Sequence, residues 1–166
     1  MSSTFGFIEP VPYFPLWIGC LEGAVARVMF EEPPARLMGA REDGHPLVRR
    51  TAQQLREYFQ GERRSFDLPL GLEGTAFQLR VWNALLQIPY GETRSYGQLA
   101  RELGTAGASR AVGAANGANP IAIIVPCHRV IASDGTLHGY GGGLDRKKFL
   151  LELESGASMR LSSSFA

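Results

Sequence analysis

TAFQLRVWNALLQIPYGETRSYGQLARELGTAGASRAVGAANGANP, residues 75–120, is punctuated like two small helical units. Thr75 followed three residues later by Gln78 is a capping-box pattern. Phe77, Val81, Trp82, Leu85 and Leu86 then share one helical stripe, which Pro89 and Gly91 stop. Ser95 and Gln98 repeat the capping pattern. Leu99, Ala100 and Leu103 fill a short helix ending at Gly104. Residues 108–117 are rich in Ala and Gly around a single cation, Arg110, and Asn119-Pro120 stop that segment. Two short helices joined by a Gly-containing turn predict a helix-turn-helix.

Working outward, residues 121–125 are short, apolar and β-branched. They read as a buried strand ending at Pro126-Cys127-His128-Arg129. Residues 139–143 are a glycine-rich loop, Asp145 reads as the cap of a last helix through Leu153 and Glu154, and residues 155–166 read as a frayed tail. Upstream, Leu21-Glu22-Gly23 is a turn signal between two apolar runs and predicts a β-hairpin. Residues 46–59 predict a helix, with Pro46 in the first turn and Gly61 past the end. The loop-like stretch 61–74 holds Pro69, Gly71 and Gly74. The expected boundary lies there, giving an N-terminal α/β domain over 1–70 and a C-terminal, mainly helical domain over 71–166. The fold class is α/β (α+β).

With 166 residues, 45% hydrophobic and 20% charged, the chain is globular in composition, not disordered. No apolar run approaches the ~18 residues of a membrane span. Met1-Ser2-Ser3-Thr4 lacks the basic start of a signal peptide, so the expected location is cytoplasmic, with no membrane partner. A net charge of +1 excludes a protein that coats nucleic acid by bulk charge, but not a local basic footprint. Residues 1–70 hold 8 basic and 9 acidic side chains and residues 71–166 hold 9 and 7, so a nucleic-acid face belongs to the second half. Two cysteines, Cys20 and Cys127, cannot staple a chain of this size. With only His45, His128 and His138 beside them, no metal site is expected.

Cys127 is the residue most able to carry chemistry. A neighbouring base such as His128 can take a thiol proton directly or through water, and a carboxylate, Glu152 or Glu154, can then orient the imidazole. A buried structural cysteine is the alternative. Cys20, in a hairpin strand without a basic neighbour, reads as structural. Arg110, on a helix of small residues, reads either as a cation reaching a groove or as a solvated arginine. Tyr96 and the glycines of 139–143 stay equally open.

Several motifs resemble the O6-alkylguanine-DNA alkyltransferase family. They are Asn119-Pro120 with 121–125, Pro126-Cys127-His128-Arg129-Val130-Ile131, Ser95-Tyr96-Gly97-Gln98-Leu99-Ala100, Ser109-Arg110-Ala111-Val112-Gly113 and Gly139-Tyr140-Gly141-Gly142-Gly143-Leu144. The similarity runs in order from about Gly74 to Glu154. It implies that Cys127 accepts the alkyl group, that His128 is linked to it through water, and that Glu154 stands behind the histidine. It implies that Tyr96 donates toward guanine N3, that Arg110 fills the base stack, and that Asn119 is a hinge. Ser95, Tyr96, Arg110, Ala111, Gly113 and Asn116 would meet DNA. The carbonyls of Cys127 and Val130 would accept from the guanine amino group and the Gly141 amide would donate to O6, with Tyr140 and Ala122 also lining the pocket. The partner implied is double-stranded DNA carrying O6-alkylguanine, gripped in the minor groove, with no cofactor and no obligate protein partner. Alkyltransferase-like damage-binding proteins of the same fold carry tryptophan in place of the cysteine, and a Cys-His hydrolase is a further rival.

The sequence departs from the family at four places. Ala76 stands for a common proline. Ala118 stands where many relatives have a cation. Leu153-Glu154-Ser155 replaces a His-Glu-Gly ending, and the N-terminal zinc ligands of some relatives have no matching cluster. Ala122, Gly139 and Gly141 are small, which predicts a pocket open to bulky alkyl groups.

Overall fold

The computed structural model describes residues 4–8, 14–37, 39–137 and 139–156. His138 and most of the expected tail lie outside them. Two units form. One is Met1–Glu73 with Pro120–Ile124, and the other is Gly74–Asn119 with Val125–Ala166.

The first unit is a mixed four-stranded sheet of β1 (Thr4–Ile8), β2 (Leu16–Leu21), β3 (Ala24–Met29) and β4 (Ala40–Arg41), ordered β3-β2-β1-β4. The expected hairpin is β2–β3. Glu22 and Gly23 both take positive φ (52° and 78°), the turn whose twist matches two paired strands. Helix α1 (Pro46–Phe59) buries Val48, Thr51, Ala52, Leu55, Tyr58 and Phe59 on one side. Its first turn is closed by His45, whose ring nitrogen accepts from the Leu47 N–H.

Strand β3 is an edge, and an edge leaves backbone groups unpaired. Two short passes of chain cover it. Val25 N–H donates to the Pro69 carbonyl and Gly71 N–H to the Val25 carbonyl, both at 2.8 Å. Val28 N–H donates to the Pro120 carbonyl at 3.0 Å, and Ala122 N–H to the Val28 carbonyl at 3.2 Å. This pairing draws 120–124 out of the second half of the sequence and into the first unit.

The strand expected over 121–125 does not form. Only Ile121 makes a bridge, to Val28. Ile123 then sits at φ 72°, and Ile124 N–H donates back to the Ala122 carbonyl at 2.8 Å, the rarer, left-handed γ-turn. For a β-branched residue this backbone is strained by about 1–3 kcal/mol. Complete burial of Ile121 and Ile123 offsets the strain.

In the second unit, α2 (Ala76–Leu85) and α3 (Tyr96–Glu102) both open on complete capping boxes, Thr75–Gln78 and Ser95–Gln98. Helix α4 (Ser109–Gly117) follows α3 across a short turn, giving the expected helix-turn-helix. Trp82 is buried, and its indole N–H donates to the Ala115 carbonyl at 2.8 Å, tying α2 to α4. A 3-10 turn (Cys127–Arg129) leads into β6 (Val130–Ile131), which pairs in parallel with β5 (Arg94–Ser95). Helix α5 (Leu144–Glu154) closes the unit. Its N-cap is Gly143 at φ 92°, without a side-chain cap, and Asp145 lies inside the first turn. The expected cap at Asp145 is therefore corrected by two residues. A glycine suits the left-handed backbone there, and the acid meets the positive helix end from within. No helix of the described residues is long and apolar enough to cross a membrane.

Candidate functional site

Pro126 sets the cysteine. At φ −82° and ψ 63° it makes an inverse γ-turn, with Cys127 N–H donating to the Val125 carbonyl at 2.8 Å. The chain then tightens into the 3-10 turn, and Cys127 is 7% exposed. Burial pushes its thiol up. Hydrogen bonding from the Asn119 side chain, the Lys147 charge and hydrogen bonding from Tyr140 pull the other way without reversing the shift. The resting sulfur is therefore a thiol that needs a base.

The base lies next to it. His128 is fully buried and its Nε2 is 2.7 Å from Glu154 Oε2. Arg129 grips the same carboxylate, Nε to Oε1 at 2.7 Å and Nη2 to Oε2 at 3.0 Å, and gives its remaining nitrogen to the Ile88 carbonyl at 2.7 Å. Burial pushes the Glu154 carboxyl up, but the hydrogen bonds from His128 and Arg129 carry it well below the usual carboxylate range. An ionised carboxylate only accepts, so Nε2 carries the imidazole proton. Nδ1 is left as a bare acceptor, buried and without a protein partner among the described residues. Burial, with Arg129 and Lys147 adding to it, lowers the His128 pKa despite Glu154. The ring is neutral and free to take a proton at Nδ1.

Lys147 was not singled out by its sequence, yet it is completely buried and donates to the Val130 carbonyl at 2.6 Å. Its ammonium lies 5.9 Å from the Tyr96 ring centroid. The Cys127 carbonyl already accepts from Asn116 Nδ2 at 3.2 Å and from the Val130 N–H. Asn119 donates to the Val125 carbonyl at 2.8 Å, bracing the γ-turn from the end of α4. Tyr96 opens α3, half-buried, its phenol pushed up by burial and by Cys127.

The residues expected on DNA divide. Arg110 and Ala111 are exposed on α4. Gly113 faces Tyr96, since a Cβ there would stand 3.8 Å from the ring. Ser95 spends its hydroxyl oxygen as the α3 cap, accepting from Gln98 N–H at 3.0 Å. Asn116 is the correction. It is buried at 2% exposure and turned inward on Cys127, because it shares the buried stripe of Val112 and Ala115 at helical spacing. Ala122 belongs to the first unit, held by Val28. Tyr140 has a buried hydroxyl beside the Cys127 sulfur, and Gly141 is exposed.

Arg129 and Lys147 carried readable signals. Arg129 sits inside the cysteine motif. Lys147 falls three residues before Leu150 and seven before Glu154, a charge on a buried helical stripe.

Residues 76–156 match the family model described as "6-O-methylguanine DNA methyltransferase, DNA binding domain". The methylated-DNA–protein-cysteine methyltransferase of Mycobacterium tuberculosis is 67% identical over 101 residues, 61% of this chain and 61% of that protein. The chain thus matches less than two thirds of the length of that mycobacterial relative. The protein of the same name from Methanosarcina mazei is 45% identical over 86% of this chain and 92% of its own. Among solved structures, Mycobacterium tuberculosis OGT in complex with DNA is 49% identical, covers 93% of this chain and 94% of its own, and superposes with a TM-score of 0.85.

Proposed function

This chain belongs to the methylated-DNA–protein-cysteine methyltransferase family, and on that footing we propose that it repairs duplex DNA by moving the alkyl group of O6-alkylguanine onto its own Cys127. The buried Cys127–His128–Glu154 arrangement is the observation that carries this reading. A thiol raised by burial needs a base, and His128 has its Nε2 proton held by Glu154 and its Nδ1 open.

A base inside a duplex cannot be reached until it is flipped, at a cost of a few kcal/mol. Arg110, exposed on a helix of small residues, fills the gap from the minor groove. The flipped guanine lies with its amino group toward the Val130 carbonyl and its O6 toward the Gly141 amide, beside Tyr140. The thiol proton passes through water to His128 Nδ1. The thiolate attacks the alkyl carbon in line. A carbon–sulfur bond forms as the carbon–O6 bond breaks, and the electron pair returns to the purine. Tyr96 delivers a proton to N3, so guanine leaves neutral, and the phenol is reprotonated from the imidazolium through solvent. The product thioether does not hydrolyse, and each molecule acts once. Lys147 and Asn119 favour the thiolate as it forms.

Intact-mass analysis after mixing with an O6-methylguanine duplex tests this. One methyl group per chain, mapped to Cys127 and lost in Cys127→Ser, is expected. Continued turnover, or a methyl group on Cys20, overturns it. Binding with no mass change would place the chain with the non-catalytic damage-binding proteins instead.

A further inference from the structure

Arg146 lies in the first turn of α5, where unpaired backbone N–H groups disfavour a cation. Its guanidinium has another role, since Nη1 donates to the Gly142 carbonyl at 3.0 Å. That carbonyl belongs to a closed turn. Gly143 N–H donates to the Tyr140 carbonyl at 2.9 Å, so residues 140–143 form a β-turn with Gly141 and Gly142 at its corner.

Three consecutive glycines give this turn little to hold it. A Cβ at Gly141 would meet only the Gly117 carbonyl, at 3.9 Å, and a Cβ at Gly143 would meet nothing. Glycine backbone has the most freedom to lose on ordering. The turn's conformation therefore depends heavily on the hydrogen bond that closes it and the one from Arg146. Tyr140 begins the turn, and its buried hydroxyl faces Cys127, where it favours the thiolate.

We propose that Arg146 is a positioning residue of the transfer site: by holding the Gly142 carbonyl it locks the 140–143 turn and keeps the Tyr140 hydroxyl on the Cys127 sulfur. The proposal rests on Cys127 being the alkyl acceptor. It goes further by assigning the order of the glycine turn to a side chain that does not touch the reacting atoms. Cys127 is faced by Asn119 from the end of α4, by Lys147 from α5 and by Tyr140 from the turn, and it acts on Tyr96 at the start of α3. Tyr140 is faced by Cys127, Arg146 and Glu154.

The test uses the full chain with Arg146→Met, Arg146→Lys, Tyr140→Phe and the Met/Phe double variant. Single-turnover transfer from free O6-benzylguanine is the first readout. Arg146→Met is expected to slow it about tenfold, the value of one hydrogen bond to a charged group. Arg146→Lys should recover part of the loss, and Arg146→Met should add little in the Tyr140→Phe background. The second readout is the pH profile of Cys127 carbamidomethylation by iodoacetamide, read by peptide mass. It does not depend on alkyl transfer. Arg146→Met should move the profile to higher pH, because the thiolate loses the Tyr140 hydrogen bond. Unchanged rates and profile in Arg146→Met, or an equal loss with and without the Tyr140 hydroxyl, overturn the proposal. If the wild type accepts no alkyl group at all, the functional reading fails, and the iodoacetamide profile still judges Arg146.

Discussion

Tyr96 and Arg110 stand on adjacent helices of the second unit, but the proposed transfer asks different things of them. Tyr96 is half-buried and coupled to Cys127. Removing its proton should slow chemistry wherever the guanine comes from. Tyr96→Phe is expected to cut single-turnover rates about 100-fold, as a lost general acid does, on duplex and on free O6-benzylguanine alike. Arg110 is exposed, and in the proposed reaction its work exists only while a base is flipped. Arg110→Ala should slow duplex repair by about tenfold or more, the scale of an uncompensated unstacking, and leave the free substrate within about twofold. Equal losses on both substrates would remove the stack-filling role. Both positions stand out in the sequence only through the family motifs that hold them. Asn116 turns inward instead, and its spacing one turn after Val112 and next to Ala115 is the sign of that in the sequence.

At the scale of elements, α4 and the residue that caps it present a bare surface for the proposed DNA contact. Ser109, Arg110, Ala111, Ala114, Gly117 and Ala118 are all exposed, and only one of them is charged. Each phosphate contact contributes roughly 0.9 to the log–log salt slope on duplex DNA. Ala118→Arg is therefore expected to steepen that slope by about one, measured by salt titration of binding. An unchanged slope would mean that the end of α4 does not meet the backbone. The glycine turn before α5 carries a second prediction. Gly141 is outside the left-handed region and a Cβ there meets nothing closer than 3.9 Å, so Gly141→Val should fold. It should slow benzyl transfer about tenfold relative to methyl transfer, because the branched side chain takes room a ring would fill. Retained benzyl reactivity would show that residue 141 does not bound the pocket. Gly143, at φ 92°, is in that turn for its backbone conformation and tolerates no such exchange.

For the molecule as a whole, the buried charges of the second unit set its response to acid. Glu154 is held well below the usual carboxylate range, chiefly through His128 and Arg129 acting against burial. A carboxyl depressed on folding adds stability above its unfolded value, near ~4.3, and that stability is lost as pH falls toward the folded value. His128 is lowered by burial, so the unfolded chain binds its proton first, and stability also declines below the unfolded histidine value near ~6.5. The protein should therefore lose stability in two stages on acidification. Glu154→Gln leaves the Arg129 charge buried without its partner, which costs about 3 kcal/mol near neutral pH. The gap to wild type should narrow below pH ~4, where the unfolded wild-type chain takes up the Glu154 proton while the folded carboxylate stays ionised. Urea unfolding at several pH values measures both. A gap independent of pH would show that the carboxylate's charge is not what holds the unit together.

Most of the helices and the hairpin turn were written locally. Thr75–Gln78, Ser95–Gln98, Pro46 and Glu22-Gly23 act within a few residues, so their capping and turn chemistry is the same in any context. The adjacency of Cys127 and His128 was equally plain. What the chain could not announce locally was decided by packing at long range. Residues 121–125 have the composition of a strand, but the exposed edge of β3 captures Ile121 and the following residues turn back on themselves. Glu154 meets His128 across 26 residues, Lys147 reaches Val130 across 17, and Asn116 holds Cys127 across 11. Those contacts exist because a buried charge or amide must find a partner in low dielectric. Which partner it finds is fixed by where the helices settle, not by spacing along the chain.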